Sequence, residues 1–328
     1  MTDLKKILVI GAGGQIGSEL VVKLRSLYGN ENIISSDLKA ENDVCSILTE
    51  TDKYEQLNIT DAQRLADIVK KHDVDAIVNF AAILSAVGEG NPMLAWNVNI
   101  NGFINVMEVA RELNLKQVLT PSSIAAFGPS TPRENTPQET ILKPTTIYGI
   151  TKVSGELLAD YYVQKYGLDV RGLRYPGIVS HETLPGGGTT DYAVAIYFDA
   201  LQKGKYTCFV SEDTRLPMMY MPDCLKATVD LMQADFSKLK HHSDFNVGAM
   251  SFTAKDLAES VKKRVPGFEI EYKPDYRQAI ADTWPMSVDD SVAREEWGWK
   301  PDYDLDAMSD DMISAIKKKI EEGKLGCE

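Results

Sequence analysis

Lys6-Ile7-Leu8-Val9-Ile10-Gly11-Ala12-Gly13-Gly14-Gln15-Ile16-Gly17 is the stretch whose reading decides the fold. Its opening is a continuous β-branched and apolar run, the pattern of a parallel strand buried on both faces. Glycines then permit a tight turn, and Ser18 to Leu24 reads as an amphipathic helix. Strand, glycine turn and helix in that order form the context in which a glycine motif binds a dinucleotide. The backbone can approach a pyrophosphate, whose charge sits at the helix N-terminus. Read as Gly-x-Gly-x-x-Gly from Gly11 the pattern fails, because position 16 is Ile. Read as Gly-x-x-Gly-x-x-Gly it fits at Gly11, Gly14 and Gly17, with Gln15 and Ile16 as further cofactor candidates between them.

Working outward, Asn32 to Ser36 is a second strand that ends at Asp37, twenty residues past Gly17. A carboxylate there can accept hydrogen bonds from both adenosine ribose hydroxyls and repels a 2′-phosphate, which favours NAD over NADP. Lys39 points mildly the other way, so dual or NADP use stays open, as does Asp37 as a plain turn residue. Residues 40–56 read as a polar, irregular excursion. Leu57-Asn58-Ile59 reads as a short strand near the adenine, which makes Asn58 and Ile59 cofactor candidates. Thr60 with Gln63 reads as a capping box for a helix from Asp61 to Lys71. The apolar strand from Ala76 ends in Ala81 and Ala82, small residues suited to the floor beneath a cofactor. Ile83 to Asn91 reads as a loop carrying Ser85 toward substrate. A helix over about Pro92 to Asn114 holds several asparagines, poor helix formers. A buried amide must be paired, and Asn99 is the candidate to bond backbone or water beneath the site.

Gln117 to Thr120 is the next strand, followed by Pro121-Ser122-Ser123, hydroxyls at the carboxyl edge where open α/β folds hold ligands. A serine pair is more often a turn than a site, but Tyr148-Gly149-Ile150-Thr151-Lys152 follows 25 residues after Ser123. Residues four apart share a helix face, so phenol and ammonium can work on one substrate. Removing a carbinol hydrogen as hydride needs a base for the hydroxyl proton, and a free phenol, with pKa about 10, is a poor one. An adjacent ammonium favours the phenolate and is expected to bring that pKa down. Ser123 could donate to the developing ketone oxygen beside the Tyr148 phenol.

The expected architecture is α/β: a doubly wound parallel sheet (Rossmann) with a second, smaller α/β substrate lobe. Residues 1–178 are assigned to the cofactor domain and 179–328 mainly to the lobe, with some segments free to return to the sheet. The chain has 328 residues and a formal charge of −13, which argues against nucleic acid as partner. No run approaches a membrane span. The four cysteines are widely spaced, fit a reducing compartment and suggest no disulfide framework. No Cys/His/carboxylate cluster has metal-ligand spacing, so no metal is expected. The N-terminus leads straight into a strand with no visible targeting peptide; cytoplasm is expected, with the mitochondrial matrix as alternative.

Together Gly11-x-x-Gly14-x-x-Gly17, Asp37, the Asn79 to Ala82 strand end, Ser122-Ser123 and Tyr148-x-x-x-Lys152 resemble the extended branch of the short-chain dehydrogenase/reductases. That branch also contains nucleotide-sugar epimerases and dehydratases using tightly bound NAD, which remain the rival reading. A non-catalytic dinucleotide sensor is a further one. In that branch the assisting serine opens a Ser-x-x-x-(Tyr/Phe)-Gly pattern, which maps to Ser123 with Gly128 closing it. Arg174-Tyr175-Pro176-Gly177-Ile178, Gly186-Gly187-Gly188-Thr189-Thr190-Asp191-Tyr192-Ala193 and Thr283-Trp284-Pro285-Met286 are more specific. They are similar to the short-chain-type L-threonine 3-dehydrogenases, nearly end to end. The resemblance implies NAD as cofactor and metal-free oxidation of L-threonine to L-2-amino-3-ketobutyrate. It implies Tyr148, Lys152 and Ser123 as catalytic residues and Tyr175 as a cofactor contact. A homodimer through the helices containing Asn99 and Tyr148 is also implied.

A zwitterionic substrate needs donors for its carboxylate and a wall against solvent. Gly188, Thr189 and Thr190 offer backbone N–H groups and hydroxyls as a cradle. Either threonine could instead cap the following helix. Trp284 is a wall or a core residue, Arg174 faces a buried carboxylate or substrate, and His181 is a solvated loop residue or an aid to the ammonium.

Overall fold

The computed structural model describes residues 4–324 apart from Asp52, Pro185 and Gly187. Strands β1 (Ile7–Ile10), β2 (Ile33–Asp37), β3 (Tyr54–Gln56), β4 (Ala76–Asn79) and β5 (Gln117–Leu119) come first. After β6 (Ser122–Ser123), β7 (Val170–Arg171) completes a parallel sheet of order β3-β2-β1-β4-β5-β7. The chain leaves β1 toward β2 on one side and returns to β4 on the other, which opens a crevice at the strands' carboxyl ends. Both faces of β1 are buried, as its unbroken apolar run requires. Leu8 and Ile10 join the helical layer of Leu65, Val106 and Ala159, while Ile7 and Val9 join that of Leu20, Leu24 and Met232.

The apolar stretch Asp169 to Ile178, which reads as a sixth strand leaving the cofactor domain, is three pieces: β7, β8 (Leu173–Tyr175) and β9 (Gly177–Val179). The chain bends at Gly172, whose N–H donates to His242 O at 2.9 Å, and at Pro176, which has no N–H to give a ladder. β8 pairs in parallel with both β6 and β12 (Phe245–Asn246), a separate three-stranded sheet. β9 turns away to pair with β11 (Arg215–Tyr220), which pairs antiparallel with β13 (Met250–Thr253). Between these strands lie β10 (Lys205–Cys208) and, further on, β14 (Glu269–Tyr272), a separate parallel pair. A second apolar core forms around the helices Tyr192–Lys203, Ala254–Arg264 and Leu305–Glu322. The helix Met221–Gln233 packs on Gln15–Tyr28, so residues after 178 also build the cofactor layer.

Several local readings change. The 40–56 excursion contains a helical turn, Ser46–Thr49, and β3; the strand lies just before Leu57-Asn58-Ile59, not on it. Asp61, not Thr60, caps the helix Ala62–His72, accepting from Arg64 N at 2.9 Å, because Thr60 is occupied by the Asn58 side chain. Residues expected as a loop form the short helix Ser85–Gly90. Cys208 and Cys224 are buried free thiols. Among the described residues no helix is long and apolar enough to cross a membrane.

Candidate active site

The glycine turn stands at the crevice. Gly11 has φ 78°, and a Cβ there would lie 2.7 Å from Ala81 N, so a side chain would push the turn off β4. This contact brings Ala81 and Ala82 under the turn. The Asp37 carboxylate reaches over from β2 and accepts from Gly13 N at 2.9 Å. Gly13 was not singled out in the glycine string; its N–H fixes the carboxylate at the adenosine end. Gln15 ties the turn to β9 through Nε2 to Ile178 O at 3.4 Å. Asn58 is exposed, and Ile59 is buried with its carbonyl on Asn105 Nδ2 at 3.0 Å. Neither borders the cleft described below.

Tyr148 and Lys152 open the helix Ile147–Tyr166, capped by Thr146, whose hydroxyl accepts from Gly149 N at 3.1 Å. Gly149 is required there: a Cβ would sit 2.2 Å from Ala125 O, so only glycine lets this helix press against the turn after Ser123. The Lys152 Nζ lies 5.4 Å from the Tyr148 ring centroid and donates to Pro121 O at 2.7 Å. Burial pushes the Tyr148 phenol up to about 12, with the Ser123 hydroxyl opposing, and pushes the Lys152 ammonium down to about 8. This departs from the expectation that the neighbouring ammonium lowers the phenol's pKa, because burial disfavours both charged forms.

The floor beneath is set by a π turn, Asn97–Asn101, inside the helical run that begins with Pro92–Trp96 and ends with Gly102–Glu112. Such turns mark functional positions in helices. Here it lets Asn99 pair both edges of one peptide unit: Oδ1 accepts from Ile83 N at 2.8 Å and Nδ2 donates to Ile83 O at 3.0 Å. Nδ2 also reaches Thr151 Oγ1 at 3.1 Å, between Tyr148 and Lys152.

A cleft of about 280 Å³ collects Gly11, Gly14, Gln15, Ile16 and Gly17 on one wall with Ser85, Ser123, Tyr148 and Lys152 on another. Gly188, Thr189, Thr190, Tyr175 and Trp284 complete it. Thr189 is 2% exposed and its Oγ1 has no partner, an orphaned hydroxyl in the cleft wall. Thr190 instead packs its Cβ against Gly177, and Asp191 Oδ2 accepts from Gly188 N at 2.7 Å, turning the chain into the helix Tyr192–Lys203. Trp284 both lines the cleft and belongs to the second core. Tyr175 presents its ring, since its hydroxyl is tied to Thr228. The glycine triplet of the proposed cradle includes Gly187, which lies outside the described residues.

With this geometry in place, comparison with known proteins places the chain. The model of the NAD dependent epimerase/dehydratase family matches residues 7–248. The chain belongs to that family. An uncharacterized epimerase/dehydratase of Staphylococcus saprophyticus is 48% identical over 317 residues, 96% of this chain and 98% of the relative. The solved L-threonine dehydrogenase from Phytophthora infestans is 50% identical with a TM-score of 0.92, covering 96% of this chain and 100% of that one. A GalE-like L-threonine dehydrogenase from Cupriavidus necator, in its holo form, is 50% identical with a TM-score of 0.92, covering 95% and 99%.

In this member of the NAD-dependent epimerase/dehydratase family, a buried polar layer lies below the Tyr/Lys pair. Arg174 donates to both Glu156 oxygens, from Nε at 2.9 Å and Nη2 at 2.8 Å, so it faces a buried carboxylate. Ser122 donates to Glu156 as well, and Gln138 and Asn246 complete the layer. Glu156 was missed in the sequence, although it stands four residues past Lys152 and eight past Tyr148 on one helix face. Glu19 was also missed: its carboxylate accepts from Ser180 and links the helix after the glycine turn to the segment entering Gly188 to Thr190. Burial raises Glu19 to about 7, with the Ser180 hydroxyl opposing. His181 pairs with Glu182 at 3.1 Å, which Lys319 also holds at 2.6 Å.

Proposed function

We propose that this chain is an NAD-dependent L-threonine 3-dehydrogenase, oxidising L-threonine at its hydroxyl carbon to L-2-amino-3-ketobutyrate in amino-acid degradation. The observation that carries the reading is the meeting of Tyr148, Lys152 and Ser123 with the glycine turn and the unpaired Thr189 hydroxyl around one cleft. Support also comes from the L-threonine dehydrogenases that match at 50% identity over nearly the whole chain.

The residues fit a dinucleotide. Gly11, Gly14, Gln15, Ile16 and Gly17 line one wall of the cleft, and glycine at position 11 lets the turn lie against Ala81. Asp37 accepts from Gly13 N and Lys39 N. A carboxylate has about four acceptor sites, so two remain for ribose hydroxyls. Ala82 and Tyr175 border the cleft where the nicotinamide end would lie, and Ala81 and Asn99 support it from the small cavity beneath. NAD, when bound, supplies the hydride acceptor. Asp37→Ala is expected to weaken NAD binding about tenfold or more and NADP binding little. Titration of both by fluorescence checks this; equal losses would remove Asp37 from the ribose.

Ser123 holds the reacting oxygen, Thr189 with Gly188, Thr190 and Ser85 holds the amino-acid end, and Trp284 shuts out solvent. Tyr148 takes the hydroxyl proton with Lys152 beside it. The form of Tyr148 that accepts this proton is the phenolate, and the Lys152 ammonium beside it stabilises that charge. The exposed apolar residues Val87, Met93, Leu94, Ile150, Leu157 and Tyr161, on the helices carrying Ser85, Pro92 and Tyr148, support a homodimer through that face. The deciding assay follows NADH absorbance at alkaline pH with L-threonine, L-serine or a UDP-sugar. Net NADH is expected with L-threonine; a UDP-sugar transformed without net NADH would replace this reading by an epimerase.

A further inference from the structure

The glycine-turn side of the cleft and the Thr189 side meet on β9. Gln15 and Glu19 stand four apart on the helix Gln15–Tyr28 and so share a face. Gln15 Nε2 reaches Ile178 O at 3.4 Å, and the Ser180 hydroxyl donates to the Glu19 carboxylate. Just before Ile178, Gly177 makes room for Thr190: a Cβ there would come within 2.8 Å of the Thr190 side chain. Residues 177–180 therefore touch both the helix that follows the glycine turn and the neighbour of Thr189. Ser180 Oγ also accepts from Glu182 N at 3.0 Å, and Lys319 of the helix Leu305–Glu322 holds the Glu182 carboxylate at 2.6 Å. That helix bonds to Tyr192–Lys203, which follows Thr190, through Tyr197 and Ser309 at 2.6 Å. Gln15 and Ile16 line the cleft on one side of this joint and Gly177 and Ile178 on the other, so a ligand filling it meets both.

We propose that the Glu19–Ser180 joint couples the two ends of the cleft: while it is closed, Thr189 is held where it meets the amino acid, and each ligand tightens the other. The proposal rests on the dehydrogenase reading. Glu19 is a positioning residue, acting through Ser180. A ligand moves an equilibrium only by favouring one arrangement over another. A dinucleotide between Gln15 and Ile178 and an amino acid at Thr189 both favour the closed joint, so their affinities are linked reciprocally. Protonation gives the joint a signature of its own. The groups that face Glu19 are Ser180, His181 and Glu182, Lys319 from Leu305–Glu322, Cys224 from Met221–Gln233 and Tyr220 from β11. Burial raises its carboxyl to about 7; Glu182 adds to the rise, while Ser180, His181 and Lys319 oppose it. A carboxyl raised in the closed arrangement favours that arrangement at low pH, and the preference is lost as pH rises through about 7.

The test titrates the full-length protein with NADH, followed by its fluorescence, with and without L-threonine. NADH accepts no hydride, so binding is read without turnover. At about pH 6 the wild type is expected to bind NADH about tenfold more tightly when L-threonine is present. Ser180→Ala and Glu19→Ala are expected to cut that gain to about twofold or less, with binding of NADH alone unchanged. Glu19→Gln keeps a partner for Ser180 and retains the gain. Between about pH 5.5 and about pH 7.5 the wild-type gain should fall about fivefold, while that of Glu19→Gln stays level. An undiminished gain in Ser180→Ala overturns the coupling, and a Glu19→Gln profile that follows the wild type overturns the part given to the Glu19 proton. If the wild type makes no NADH from NAD and L-threonine, the dehydrogenase reading falls, and hydrogen exchange decides the joint by itself. NADH alone is then expected to slow exchange at Ala193 and Val194, whose amides bond back to Thr190 and Asp191, in the wild type and not in Ser180→Ala. Equal slowing in both proteins overturns the joint. If Glu19→Ala does not fold, Ser180→Ala carries the comparison.

Discussion

The floor and the roof of the cleft are built on opposite plans. The floor is a saturated layer in which Glu156, Arg174, Ser122, Gln138 and Asn246 satisfy one another inside the protein. In the roof, Ser180 and Glu182 are anchored through Glu19 and Lys319, while the buried Thr189 hydroxyl has no partner. A saturated layer holds the Tyr148 helix against β6 with no need of ligand. An unsatisfied hydroxyl holds binding energy in reserve for a ligand that can meet it.

Breaking the floor should have the largest effect. Arg174→Met leaves Glu156 buried without its cation and is expected to destabilise the fold by about 3–5 kcal/mol, measured by urea unfolding. A loss below about 1 kcal/mol would mean that the layer is not the support described. Next, Tyr148→Phe removes the phenol hydroxyl above that floor and should lower turnover by at least about 100-fold with NAD binding intact. Turnover near that of the wild type would take Tyr148 out of the mechanism.

The roof should answer differently. Thr189→Val keeps the volume and deletes the orphaned hydroxyl. Melting is expected to stay unchanged or rise by about 1 kcal/mol, while KM for L-threonine increases about tenfold. An unchanged KM would separate Thr189 from substrate. The smallest effect belongs to the roof's anchor. Glu19 sits at about 7 in the folded protein against an ordinary 4.5, because burial disfavours its charge. A raised carboxyl binds its proton more tightly in the folded state, so its stabilising contribution is complete below about 4.5 and is lost as pH rises through about 7. Wild type and Glu19→Gln should therefore melt alike near pH 4.5, with the wild type falling behind by about 2 kcal/mol above pH 8. A gap that does not change with pH would mean that Glu19 does not titrate there.

Patterns of adjacent residues carried much of this molecule. The buried run before Gly11, the turn through Gly17, the carboxylate at Asp37 and the shared face of Tyr148 and Lys152 follow from residue type and period, because strand burial, glycine geometry and helical spacing are local. The splitting of the sixth strand was less visible, since the bend at Gly172 and Pro176 depends on which strand waits beyond it. The choice of Asp61 over Thr60 as cap turned on a bond from Asn58 that spacing does not show.

What only the tertiary structure decided is the electrostatic state of the site. By sequence, Lys152 is an ammonium beside a phenol, and attraction is the term one sees. Folding buries both groups above Glu156, Arg174 and Asp244, and removal from water disfavours both charged forms. Likewise Thr189 and Thr190 are equal neighbours in the chain. Packing against Gly177 claims Thr190 and leaves the Thr189 hydroxyl facing the cleft, because which side chain is spent on structure depends on contacts made far along the sequence.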